Sequence, residues 1–144
     1  MRQVKSENQD YNNDFYKWGY TQADLLKSGQ FEKIDLANII EEIEDLSKSR
    51  RRSLKSQIVR LLMHMLKIEY QSSKHSKSWD KSIGNARVEI EDIILENPSL
   101  KRELKDVLKE SYAQARKKAS IETGIELKTF PEKCPWTLKQ VLGD

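Results

Sequence analysis

The sequence contains little of what several large classes of protein require. Its single cysteine, Cys134, rules out an internal disulfide framework and suits a reducing cytoplasm. No stretch approaches the roughly 20 apolar residues that cross a bilayer as a helix. The polar residues 1–13 also lack the apolar centre of a signal peptide. We therefore expect a soluble, cytoplasmic protein that makes no contact with a membrane.

Neither the charge nor the short motifs identify an activity. The chain has 26 basic and 23 acidic side chains, and a net charge of +3 is too small to require a polyanionic partner. Glycine-rich phosphate loops, zinc-ligand spacings and nucleophile elbows are missing from the sequence. The sequence therefore gives no catalytic residue and no cofactor, and it favours a non-enzymatic protein.

One run of about 35 residues, Asp35 to Tyr70, dominates what the sequence does contain. Its apolar residues recur every three or four positions, which is typical of one side of an amphipathic helix. The stripe is interrupted from Ser47 to Ser53, where no residue is apolar. The pattern predicts one long helix, with a kink or a break near Ser47–Ser49 as the alternative. The residues of the stripe are Leu36, Ile39, Ile40, Ile43, Leu46, Leu54, Ile58, Leu61, Leu62, Met65 and Leu66.

Shorter amphipathic segments lie on either side of this run. Asp14 is a predicted N-cap for a helix that Gly29 ends. The other predicted elements are a helix from Trp79 to Glu96 capped by Ser78, a helix from Pro98 to about Thr123, and a tail with Pro131 and Pro135 before a short helical segment.

The fold class follows from these elements. Strand signals are nearly absent, and the 34% of charged residues fit slender helices with wide solvated faces. We predict an all-α, single-domain helical bundle over residues 14–144, with one long central helix, three further helices and a proline-containing C-terminal tail with a short helix. Residues 1–13 are predicted to be a flexible arm.

The order of short motifs resembles a known family. The motifs are Asp14-Phe15-Tyr16 with Trp18, Ile40-Glu41-Glu42-Ile43-Glu44, Ser49 with Arg51 and Arg52, Leu62-Met63-His64-Met65-Leu66-Lys67, Ser78-Trp79, Arg87, Pro98-Ser99-Leu100, Glu122-Thr123-Gly124, Phe130-Pro131 and Cys134-Pro135. Over nearly the whole chain after residue 10, the sequence is similar to the small bacterial family called domain of unknown function 29, which is common in cyanobacteria. The resemblance implies an all-helical, stand-alone domain, and it supplies no activity and no catalytic residues.

The front of the long run is acidic. Glu41, Glu42 and Glu44 are the residue types of a metal site or a general base, so they are the candidates for a metal-dependent hydrolase. His64 lies about 30 Å from Glu44 along a straight helix, too far to share an ion with it. A solvated helix start, favoured by the helix dipole, is the alternative interpretation.

The middle of the long run is basic. Arg50, Arg51, Arg52 and Lys55 can neutralise the phosphates of a nucleic acid without reading its sequence. Consecutive residues point all round a helix, however, and the neighbouring acids would repel the same phosphates. A solvated face or an acidic protein partner is the alternative.

A second candidate site is polar and lies near the end of the run. If a tight hairpin near residue 74 aligns the long helix with the next one, His64, Lys67, Trp79 and Arg87 form a cluster suited to an anionic ligand. The alternative is a structural network that fixes the register of the two helices.

Together these patterns favour an interaction or adaptor module that acts through the charged middle of the long helix. Its partner is another protein or a second copy, because antiparallel pairing of two copies sets acids against bases and so predicts a homodimer. Nucleic-acid binding and metal-dependent hydrolysis are the alternatives.

Overall fold

The computed structural model describes residues 10–144, and within this range it contains helices but no β-strand. The predicted all-α class is therefore confirmed. The α-helices are α1 (Phe15–Lys27), α2 (Leu36–Tyr70), α3 (Lys77–Glu96), α4 (Leu104–Thr123) and α5 (Leu138–Leu142). A helical turn at residues 10–13 precedes α1. Residues 1–9, most of the predicted arm, lie outside the described range.

The predicted long helix is confirmed as α2, which is helical throughout its 35 residues. The alternative break near Ser47–Ser49 is therefore wrong. The chain divides into two compact units, Met1–Lys48 and Ser49–Asp144, and α2 contributes residues to both. Among residues 10–144, no helix combines the length and the apolar character needed to cross a bilayer.

In the first unit, α1 and the beginning of α2 form an antiparallel hairpin. The side chain of Asp14 caps α1, as predicted, and Gly29 follows the end of the helix with a positive φ of 72°. Trp18 Nε1 donates to the Asp35 carboxylate at 3.0 Å, and the backbone N–H of Asp35 donates to Gln22 Oε1 at 2.7 Å. Trp18 and Gln22, the buried residues of α1, thus both bond to the start of α2.

In the second unit, residues of α2 pack with α3 and α4 around one core. Arg51 pairs with Glu110 and, further along, Lys67 pairs with Glu122, so α2 and α4 run parallel. Short connections place α3 antiparallel to both. The core is aliphatic with two aromatic rings, and its largest members include Leu54, Ile58, Leu61, Leu62, Leu66, Ile90, Val107, Leu108, Tyr112, Phe130 and Val141.

Two helix starts differ from the prediction. The cap of α3 is Ser76 rather than Ser78, because Ser76 Oγ accepts the backbone N–H of Trp79 at 3.4 Å. The helix predicted from Pro98 begins instead with a 3₁₀-helix, Pro98–Glu103, before α4. Asn97 does not cap it with its side chain, since Asn97 Nδ2 donates backwards to Ile93 O at 2.9 Å.

Candidate interaction surface

The apolar stripe of α2 is exposed over one half of the helix and buried over the other. Leu36, Ile40 and Ile43 are 57%, 46% and 58% exposed, and we call these three residues the N-terminal stripe. Each precedes a core residue by 18 positions, which is five turns of 3.6 residues. Those core residues are Leu54, Ile58 and Leu61, all 0% exposed. Apolar residues of one helical period are therefore exposed in the first unit and buried in the second.

The other helix of the hairpin also presents apolar side chains to solvent. Phe15, Tyr16 and Tyr20 are all exposed, and together with Gly19 and Ala23 they line a shallow groove of about 390 Å³. A two-helix hairpin has too few residues to cover all of its own apolar faces. The first unit therefore has open apolar surface on both helices.

The acidic cluster is divided between a hydrogen bond and solvent. Tyr11 donates its hydroxyl to Glu42 Oε1 at 2.6 Å, and this bond raises the pKa of Tyr11 to about 12. Glu41 and Glu44 are exposed on α2. Among residues 10–144, no group of three or more His, Cys, Asp and Glu side chains is arranged to hold a metal ion.

The basic residues of α2 do not form one uniform patch. Arg51 donates from Nη1 and Nη2 to the two carboxylate oxygens of Glu110, and from Nε to Glu103. These bonds raise the pKa of Arg51, and the bond from Arg51 lowers the pKa of Glu110. Arg50 and Arg52 are exposed, whereas Lys55 is half-buried. Of the four predicted contact residues, Arg51 is therefore already paired with carboxylates of the second unit.

The predicted polar cluster is brought together only in part. Lys67 Nζ lies 4.7 Å from the centre of the Trp79 ring. Arg87 donates from Nε to Val141 O at 3.0 Å, in the C-terminal tail. His64 Nδ1 lies 2.8 Å from Arg60 O, one turn earlier in α2. Lys67 and Trp79 thus lie together, while Arg87 and His64 contact other parts of the second unit.

His64 lines a groove that sequence reasoning missed. The groove has a volume of about 480 Å³ and lies between α2 and α4. We call it the cationic groove, and its lining residues are Ser56, Val59, Arg60, Met63, His64, Lys118, Ile121 and Glu122. Within residues 10–144, neither Arg60 nor Lys118 forms an ion pair. The only sequence signal is the spacing of the lining residues by three or four positions on each helix, which does not show that the two helices are neighbours.

These features define an α-helical protein in which one long helix supplies both a core and an exposed apolar stripe. The chain belongs to the family described as Domain of unknown function DUF29, whose sequence model matches residues 11–144. The resemblance seen in the sequence motifs is thereby confirmed. Comparison with curated proteins and with solved structures gives no match.

Proposed function

We propose that this protein is a non-enzymatic interaction module that binds a protein partner through the N-terminal stripe and the adjoining charged middle of α2. The observation that carries the proposal is the exposure of the three apolar side chains of the N-terminal stripe, which lie one turn apart or nearly so on the first part of α2. Complete burial of a fully exposed side chain of this size contributes about 1.5–3 kcal/mol. The three residues are each about half exposed, so covering them contributes about half of that value per residue. A helix with an open apolar side is a common docking element for a partner helix.

The charges beside the stripe give such a contact specificity. Glu41 and Glu44 lie within and just after the stripe, and Arg50 and Arg52 follow about two turns later. All four side chains are exposed. An apolar centre with a charged rim is the usual composition of a protein interface, where the rim selects the partner more than it adds affinity.

The two alternative functions have less support. Arg51 is not available to bind a nucleic acid, because it pairs with the carboxylates of Glu103 and Glu110. These two carboxylates would also repel a nearby phosphate backbone. A hydrolase that uses the acidic cluster must free Glu42 from Tyr11. The apolar stripe has no role in either function.

A site-specific crosslink tests the proposal, because it captures whichever protein covers the stripe. We would place the photoreactive residue p-benzoyl-phenylalanine at Ile43 and, as a matched control, at Val88 of α3, which is 56% exposed. Irradiation of cells of the natural host should give one discrete adduct from position 43 and none of that mass from position 88. No adduct at position 43, or the same adduct at both positions, would contradict the proposal.

A further inference from the structure

The N-terminal stripe carries carboxylates along one edge. Glu44 lies one helical turn after Ile40, so the two side chains are neighbours on the surface of α2. Glu41 lies one turn before Glu44 and extends the same edge. A partner that covers the stripe therefore needs an apolar surface with positive charge beside it.

The cationic groove has this composition. Its apolar part is formed by Val59, Met63 and Ile121, and Ile121 is 81% exposed. Arg60 stands on the α2 side and Lys118 on the α4 side. Glu122 is the one carboxylate in the lining, and its charge is offset by Lys67 Nζ at 3.1 Å.

The dimensions of the two surfaces also agree. On α2 the groove extends from Ser56 to His64, which is about 12 Å at 1.5 Å per residue. The stripe from Leu36 to Ile43 extends about 11 Å on the same scale. Two turns of one helix therefore fill the length of the groove.

We infer that the N-terminal stripe of one copy docks in the cationic groove of a second copy, with Glu41 and Glu44 facing Arg60 and Lys118. The inference rests on the proposed function, because it names the partner of the same stripe. Every chain carries both surfaces, and because the two surfaces differ, the contact is heterologous and joins copies head to tail. The ion pairs select the register and the apolar side chains supply most of the affinity.

A charge exchange between two variants tests this inference with purified protein. One variant is Glu41→Lys with Glu44→Lys, and the other is Arg60→Glu with Lys118→Glu. Each should sediment as a monomer of about 16.9 kDa, whereas the wild type should form assemblies of at least twice that mass. An equimolar mixture should regain these assemblies, because every contact between unlike variants pairs opposite charges. The matched control Asp45→Lys with Lys117→Glu changes exposed residues of the same helices outside these surfaces and should self-associate like the wild type.

Each other result overturns the inference in a recognisable way. A wild type that stays monomeric at about 100 μM excludes a useful self-association. Assemblies that survive both charge changes, or a mixture that stays monomeric, exclude the groove as the docking site. Should a variant fail to fold by circular dichroism, Glu44→Gln and Lys118→Gln replace it, and each must weaken self-association at least threefold. A crosslink from position 43 to a different protein would overturn this inference but support the proposed function.

Discussion

Arg51 and Glu110 form a bidentate ion pair between α2 and α4. The Nη1 and Nη2 atoms of Arg51 lie 3.0 and 2.9 Å from the two oxygens of Glu110. Nε completes the guanidinium's contacts by donating to Glu103 at 3.0 Å. The pair lies one turn before Leu54, the first fully buried residue of α2. It therefore marks the position at which the stripe of α2 passes from solvent into the core.

We expect Arg51→Lys to destabilise the protein at neutral pH more than at acid pH. The planar guanidinium makes both bonds to Glu110, and an ammonium group does not reproduce this geometry. Because Arg51 lowers the pKa of Glu110, the pair stabilises the fold above the ordinary carboxyl value of 4.5 and loses this effect as the pH falls below the lowered value. The melting temperature should fall by about 2–4 °C at pH 7 and by less at about pH 2.

Thermal unfolding followed by circular dichroism measures this difference. Arg52→Lys is the matched control, because Arg52 is exposed and should tolerate the change at either pH. An equal loss of stability at the two pH values would show that the ion pair is not the cause.

Truncating a side chain should cost much more stability in the buried half of the α2 stripe than in the exposed half. Leu61→Ala removes a fully buried side chain and should lower the free energy of unfolding by about 2–5 kcal/mol. Ile43→Ala removes an exposed side chain five turns earlier and should change it by less than about 0.5 kcal/mol in the monomer. Urea denaturation at low protein concentration measures both. A large loss from Ile43→Ala would mean that the stripe belongs to the core of the folded monomer.

Tyr112 should make the protein sensitive to alkali. Its hydroxyl donates to Pro131 O and its ring is buried in the core, and this burial raises its pKa to about 12. A raised pKa in the fold means that the stabilisation is complete below the ordinary tyrosine value of 10.0 and is lost as the pH rises from there towards 12. Tyr112→Phe should cost about 1–2 kcal/mol at pH 7 and make the unfolding free energy fall less steeply above pH 10.

Tyr16→Phe is the matched control, because this side chain is largely exposed. Denaturation curves at intervals between about pH 8 and 11 provide the comparison. If Tyr112→Phe follows the wild-type pH profile, Tyr112 does not contribute to the alkaline loss.

The sequence predicts α2 well because its periodicity is long and uninterrupted by proline or glycine. The same periodicity does not show which half is buried, since Ile43 and Leu61 occupy equivalent positions on the helix. Burial depends on whether α3 and α4 lie against that turn, which is a property of the whole fold. The exposed stripe is therefore visible only in the structure.

The misplaced contacts have a related cause. Three consecutive arginines are alike in sequence, and only the packing of α4 selects Arg51 as the partner of Glu110, 59 residues away. Ser76 and Ser78 are equally good caps by residue type. The sequence predicts Arg87 near His64, but the tail offers it the backbone oxygens of Val141 and Gln140. Long-range partners of this kind leave no local pattern.

The contact between Arg87 and Gly143 should stabilise α5 against local unfolding. Gly143 ends α5 with a positive φ of 81°, and a Cβ atom added there would lie 3.0 Å from Arg87 Cζ. Gly143→Ala therefore combines backbone strain of about 1–2 kcal/mol with displacement of the guanidinium from the carbonyls at the end of α5. Hydrogen exchange of the α5 amides should accelerate by about 5- to 30-fold.

A double-mutant cycle separates the strain from the clash. In an Arg87→Met background the guanidinium is absent, so Gly143→Ala should accelerate exchange by less than it does in the wild type, and the two effects should not add. Gly84→Ala is the control of opposite sign, because Gly84 lies within α3 with no neighbouring atom within 4 Å of an added Cβ. It should stabilise the protein by about 0.5–1 kcal/mol. Additive effects of the changes at positions 87 and 143 would show that Arg87 does not hold α5 through this contact.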